Sequence, residues 1–131
     1  MLKQAIATKE APNAIGPYSQ AVACDGWLYL SGQIPLDPGS GELVVGDVAL
    51  ETRQVMNNLA AVLKAAGVGF ENVVTTTIYL SELADFPLVN QIYETYLSPP
   101  YPARATVQVA ALPKGARLEI AAVARLPNQT G

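Results

Sequence analysis

Residues 47–80 read DVALETRQVMNNLAAVLKAAGVGFENVVTTTIYL, an amphipathic segment that runs directly into a β-rich one. Asp47 stands where a helix N-cap is wanted, because its carboxylate can accept from a free N–H of the first turn. Val48, Val55, Leu59, Val62 and Ala66 follow at spacings of seven, four, three and four, which puts them on one helical face. Gly67 comes next as a C-terminal stop. The run Val73 to Leu80 is dense in β-branched side chains, which suit a pleated surface better than a helix.

Upstream, Gln20 to Cys24 and Trp27 to Ser31 are two apolar runs joined by Asp25-Gly26, a strong local hairpin signal. Before them lie a short edge-strand candidate, Lys3 to Ala7, and a loop, Ala11 to Tyr18, whose two prolines and glycine forbid helix. Pro35 to Gly41 is a turn by composition. Downstream of the strand, Ser81 is placed to cap a short turn, and a second helix falls within Phe86 to Leu97. Ser98-Pro99-Pro100 ends it. Two strands follow, Ala103 to Ala110 and Ala116 to Arg125, joined by a turn around Pro113-Lys114-Gly115, and a polar tail runs from Pro127 to Gly131. This order predicts a single α+β domain over residues 1–131, a β-sheet with two helices on one face.

The composition narrows the chemistry. Of 131 residues, 50% are hydrophobic and 15% charged, against roughly a quarter charged in an ordinary soluble domain. Eight basic against eleven acidic residues leave a net charge of -3, which argues against a nucleic-acid binder with a basic face. There is no histidine, hence no Ser-His-Asp or Cys-His apparatus and no zinc site of the usual kind. Cys24 is the only cysteine, so no intrachain disulfide forms and a reducing, cytoplasmic setting fits best; Cys24 itself reads as an inert core residue. Met1 to Glu10 lacks the apolar core of a signal peptide, and no apolar run approaches the ~18 residues of a membrane span. A chain this poor in charge is expected to cover apolar surface with copies of itself.

Without histidine, acids and bases must come from carboxylates, tyrosines and lysines. Strand periodicity puts Arg104, Thr106 and Gln108 on one face of their strand and Arg117, Glu119 and Ala121 on one face of theirs. Arg104 is flanked by alanines, Glu119 by Leu118 and Ile120. Two readings stand level: a structural ion pair, or an arginine fork for a ligand carboxylate with Glu119 as a buried acid/base group. Tyr18, on its Gly-Pro loop, either packs or covers a ligand. Ser31-Gly32-Gln33 follows a strand, and Gly32 lets a ligand approach the backbone closely. Asn90, in the second helix, reads most simply as a solvated or capping side chain.

Taken in order, these segments resemble the Rid family of reactive-intermediate imine deaminases, the YjgF-like proteins. The resemblance rests on Ala11 to Gln20, Ser31 to Pro35, Val89-Asn90, Tyr101 to Val109, Leu112 to Gly115 and Leu118 to Ile120. It implies a chorismate mutase-like fold of the trimeric type, and a homotrimer whose ligand clefts lie between subunits. It also implies that Arg104 binds the substrate carboxylate, Glu119 serves the hydrolytic water, and Tyr18, Ser31, Gly32 and Asn90 line the cleft. Two positions depart from the family: Thr106 stands where a cysteine is frequent, and Ala121 where a second glutamate is common. Thr106, counted with the substrate-binding positions, offers a hydroxyl but no thiol, so no covalent cysteine adduct is expected.

The implied reaction is hydrolysis of 2-imino acids, such as 2-iminobutanoate and 2-iminopropanoate, to 2-oxo acids and ammonia, with no metal or cofactor. Arg104 would fix the imine opposite the water, the Gly32 carbonyl would accept from the iminium nitrogen, and Glu119 would move the proton. Two other classes stay open at this point: a non-catalytic module for small carboxylates, and an endoribonuclease or translation inhibitor, which the net charge and the missing histidine disfavour.

Overall fold

The computed structural model describes residues 2–127; of the polar tail, residues 128–131 lie outside the described region. Strand β1 (Gln4–Ile6) leads through the proline loop into β2 (Ala21–Cys24) and β3 (Trp27–Gln33). At the joint of this hairpin Asp25 and Gly26 both take positive φ, 54° and 83°, the conformation that matches the twist of paired strands. Cys24 is thereby registered against Trp27.

Helix α1 (Val48–Ala65) begins as its sequence predicts, with Asp47 Oδ1 accepting from the Leu50 N–H at 2.8 Å. It ends in a Schellman turn: Gly67, at φ 80°, donates to Lys64 O and Val68 donates to Leu63 O. Val55, Leu59 and Val62 are buried against the sheet together with Met56 and Leu63. Strand β4 (Val73–Leu80) follows, then α2 (Phe86–Glu94), β5 (Ala103–Gln108) and β6 (Leu118–Arg125). Ser81 caps no turn; its hydroxyl donates to the Arg117 carbonyl at 3.4 Å, and Glu82 precedes the 3-10 turn Leu83–Asp85.

The sheet order is β1-β2-β3-β6-β4-β5. All pairings are antiparallel except β4 with β5, which are parallel and joined through α2. Strands β5 and β6, consecutive in sequence, are therefore not neighbours. The turn at Pro113–Gly115 carries the chain past β4, and β6 enters the slot between β3 and β4. In that slot Leu118, Ile120, Ala122 and Ala124 are all buried. No helix among the described residues is long and apolar enough to cross a membrane.

Both helices lie on one face. Residues directly opposed on neighbouring strands point to the same side, so the register sorts every strand position. Thr76, Ile78 and Leu80 of β4 oppose Arg104, Thr106 and Gln108 of β5, all on the helix side. Tyr79 opposes both Glu119 of β6 and Val107 of β5, on the uncovered side. Cys24 alternates to that same uncovered side and is half-buried, outside the core, contrary to the expectation from its apolar strand.

Candidate active site

Arg104 leaves the edge strand β5 toward α2, where three residues one helical stripe apart receive it. Its Nη1 donates to Asn90 Oδ1 at 2.6 Å. Its guanidinium carbon lies 5.0 Å from the Phe86 ring centre and 5.2 Å from that of Tyr93. Spacings of four and three along α2 align Phe86, Asn90 and Tyr93 under one side chain. The other guanidinium nitrogens have no hydrogen-bond partner among the described residues. They border a cleft of about 340 Å³ lined by Asn90, Tyr93, Glu94, Tyr101, Pro102 and Arg104. Guanidinium planes on aromatic faces lose little hydration and keep their fork available for a carboxylate.

Thr106 sits on the same side of β5, half-buried and in register with Ile78. It is not part of the cleft lining in a single chain. Gln108, one step further, accepts from the Leu83 N–H at 2.7 Å and so ties the start of the α2 segment to β5.

Glu119 lies on the opposite side of the sheet. Its side chain crosses the backbone of Gly32, where a Cβ would meet the carboxyl carbon at 2.7 Å. Burial holds its carboxyl above the usual carboxylate range, as expected where the charged form is desolvated. Ser31, next to Gly32, donates from Oγ to the Ser19 carbonyl at 2.6 Å, and its N–H donates to Gln20 O. These bonds hold the Tyr18 loop to the Glu119 side of the sheet. Tyr18 itself is exposed, with its hydroxyl 3.4 Å from the Ile15 N–H.

Gln20 gives that loop its stiffness. Buried, it accepts from the Thr8 N–H at 2.7 Å and donates to the carbonyls of Thr8 and Pro12 at 3.0 and 2.7 Å. Sequence reading passed over this residue; a polar side chain at the mouth of an apolar strand, just after a proline loop, was the available signal.

The predicted residues thus fall into two groups, Arg104 with Asn90, and Glu119 with Gly32, Ser31 and the Tyr18 loop. One chain does not bring the groups together. Glu51, buried where Glu119 is half-buried, is a further shielded carboxylate that the sequence hides because it sits in the polar-looking first turn of α1. Arg117 Nε stands 3.3 Å from its Oε2. Burial pushes the Glu51 carboxyl up, against the pull of Arg117 and together with the repulsion of Asp85 and Asp47. Arg117 also donates to Gly46 O at 3.2 Å, so this pair fastens the loop before α1 to the start of β6. Among the described residues no group of three or more carboxylates and cysteines converges as metal donors.

Comparison with known proteins gives one consistent outcome. A family model described as endoribonuclease L-PSP matches residues 8–126. A human protein named 2-iminobutanoate/2-iminopropanoate deaminase is 55% identical over 124 residues, covering 95% of this chain and 90% of the human one. Among solved structures, the conserved Rid-family protein YyfA of Yersinia pestis superposes with a TM-score of 0.93 at 48% identity, covering 95% of this chain and all of that one. RidA from an Antarctic Psychrobacter superposes at 0.90 with 44% identity, covering 94% and 99% of the two chains.

Proposed function

From the premise that this chain belongs to the Rid (YjgF-like) family, we propose that it hydrolyses small 2-imino acids, 2-iminobutanoate and 2-iminopropanoate, to 2-oxo acids and ammonia. The observation that carries this reading is the Arg104 guanidinium, fixed through Nη1 and two rings while its remaining donors border an open cleft. Such a group takes a substrate carboxylate in two-point fashion and holds the imine carbon in one place.

Glu119 supplies the proton chemistry. A carboxyl held above its usual range is a better base for water than an ordinary surface carboxylate. Water adds to the imine carbon while its proton passes to Glu119. The same proton then goes to the amine nitrogen; as the C–N bond breaks, the ionised Glu119 takes the proton of the new hydroxyl, the carbonyl forms, and ammonia carries that second proton away as ammonium. Gly32 contributes its carbonyl toward the iminium nitrogen. Imines already hydrolyse in water unaided, so a modest barrier reduction suffices; each ~1.4 kcal/mol is tenfold.

Arg104 and Glu119 point to opposite sides of one sheet, so a working cleft takes Arg104 from one copy and Glu119 from the next. A closed ring of three copies gives three such clefts. Two features of the uncovered face support that assembly: exposed apolar residues such as Tyr29 and Val107, and Glu119 as its one carboxylate among the strand positions. Tyr18, Ser31 and Gly32 line the Glu119 side, Asn90 the Arg104 side, and Thr106 offers its hydroxyl deeper along β5.

The test is ammonia release from 2-iminobutanoate generated freshly in the assay. The protein should exceed the spontaneous rate, and Arg104→Ala should return release to that rate with the oligomer intact. An Arg104→Ala variant as active as the parent would sink the proposal; a wild-type protein that binds 2-oxo acids without accelerating release would leave a carboxylate-binding module.

A further inference from the structure

Beneath the guanidinium lies a buried pair of hydroxyls that the reaction itself does not use. Tyr93 of α2 and Thr76 of β4 are both almost fully buried, and their hydroxyl oxygens are 2.7 Å apart. Thr76 is the residue directly opposite Arg104 on the neighbouring strand, on the same side of the sheet. The ring that lies against the Arg104 guanidinium is therefore tethered to the strand position that backs Arg104.

We propose that the Thr76–Tyr93 hydroxyl pair positions the carboxylate-binding edge of Arg104. The proposal rests on the reading of Arg104 as the carboxylate clamp. Three contacts hold the guanidinium: Asn90 at one nitrogen, and the rings of Phe86 and Tyr93 against its plane. Asn90 fixes one corner and leaves rotation about that bond open. The rings set the plane. Phe86 is only half-buried and has no polar handle, so Tyr93, anchored at its far end, fixes the tilt. Two-point recognition of a carboxylate depends on that tilt, because both donors must lie in the plane of the acceptor oxygens. The Tyr93 ring borders the cleft, but its hydroxyl is bonded to Thr76, so the two hydroxyls are positioning groups that act through Arg104.

The experiment measures binding of 2-oxobutanoate, a non-reacting carboxylate, by calorimetry, with melting temperature recorded in parallel. Thr76→Val and Tyr93→Phe keep the shape and remove one hydroxyl each. Each should weaken binding roughly threefold to tenfold, and the double variant should be no weaker than either single one, since both break the same link. Thr76→Ser should restore the affinity lost in Thr76→Val, which keeps the test open if the valine variant folds poorly. Wild-type affinity in the folded hydroxyl-deleted variants, with only the melting temperature lowered, would overturn the proposal by making the pair purely structural. Losses that multiply in the double variant would overturn it too, as would a wild-type protein with no Arg104-dependent affinity for 2-oxobutanoate. Failure of the deaminase reading has a separate signature: Arg104-dependent binding with ammonia release at the spontaneous rate.

Discussion

The Glu119 side chain rests on the backbone of Gly32 so closely that a methyl group there would meet its carboxyl carbon at 2.7 Å and its Cγ at 2.9 Å. Glycine at this position is required by the carboxylate, whatever a ligand may also need from the exposed peptide. Gly32→Ala should displace the carboxyl by forcing a different Glu119 rotamer. General-base contributions are worth about 10²–10⁴-fold, so kcat should fall at least tenfold toward the level of Glu119→Gln. Steady-state ammonia release, with sedimentation to confirm assembly, checks this; an alanine variant at the parental kcat refutes it.

The pH profile tests the state of Glu119. Its carboxyl titrates above 4.5 in the folded protein because burial disfavours the ionised form. A base works only when ionised, so kcat/KM should drop as pH falls through that raised value, and the acid limb should lie higher than for an exposed glutamate. In Glu119→Gln the limb attributable to the enzyme should vanish, leaving the weak dependence of the substrate imine. A parental limb retained in the glutamine variant would assign the titration elsewhere.

Much of this was legible in the sequence where a local rule dominates. Asp47, Gly67 and the Asp25-Gly26 turn each answer to backbone geometry within a few residues, and each acts as read. The Val73–Leu80 strand was legible for the same reason. The position of β6 was not, because insertion between β3 and β4 is decided by which slot buries Leu118 and Ile120, a non-local choice. That choice also decides the site. Strand periodicity put Arg104 and Glu119 on faces of their own strands, but only the pairing through β4 shows that those faces are opposite. Asn90 looked like a solvated residue since nothing local reveals the arginine that β5 brings to it.

Glu51 gives a stability prediction of definite sign. Its folded-state carboxyl is raised by burial above 4.5. Between that ordinary value and the raised one, the native protein binds more protons than the unfolded chain. Unfolding free energy therefore gains from Glu51 as pH falls through this window, and the contribution is complete once pH is below 4.5. The Arg117 partner, half exposed, offsets the burial only in part. In Glu51→Gln the pH dependence of the urea midpoint from neutral pH to below 4.5 should be flatter than in the parent; an unchanged slope would place the proton uptake in other groups.

The opposite placement of Arg104 and Glu119 allows the assembly itself to be tested by mixing two dead proteins. Arg104→Ala keeps Glu119 and loses the clamp; Glu119→Gln keeps the clamp and loses the base. Each homo-oligomer should run at the background rate. When the two are co-expressed and assemble at random, a cleft drawing Arg104 from one copy and Glu119 from its neighbour is intact when both happen to be supplied by the right variants. That is about one cleft in four for random pairing in a cyclic oligomer. Activity should recover to about a quarter of wild type, and a chain carrying both substitutions should abolish the recovery. If both residues served one chain's own cleft, no mixture could contain an intact site, and co-expression would leave the rate at background.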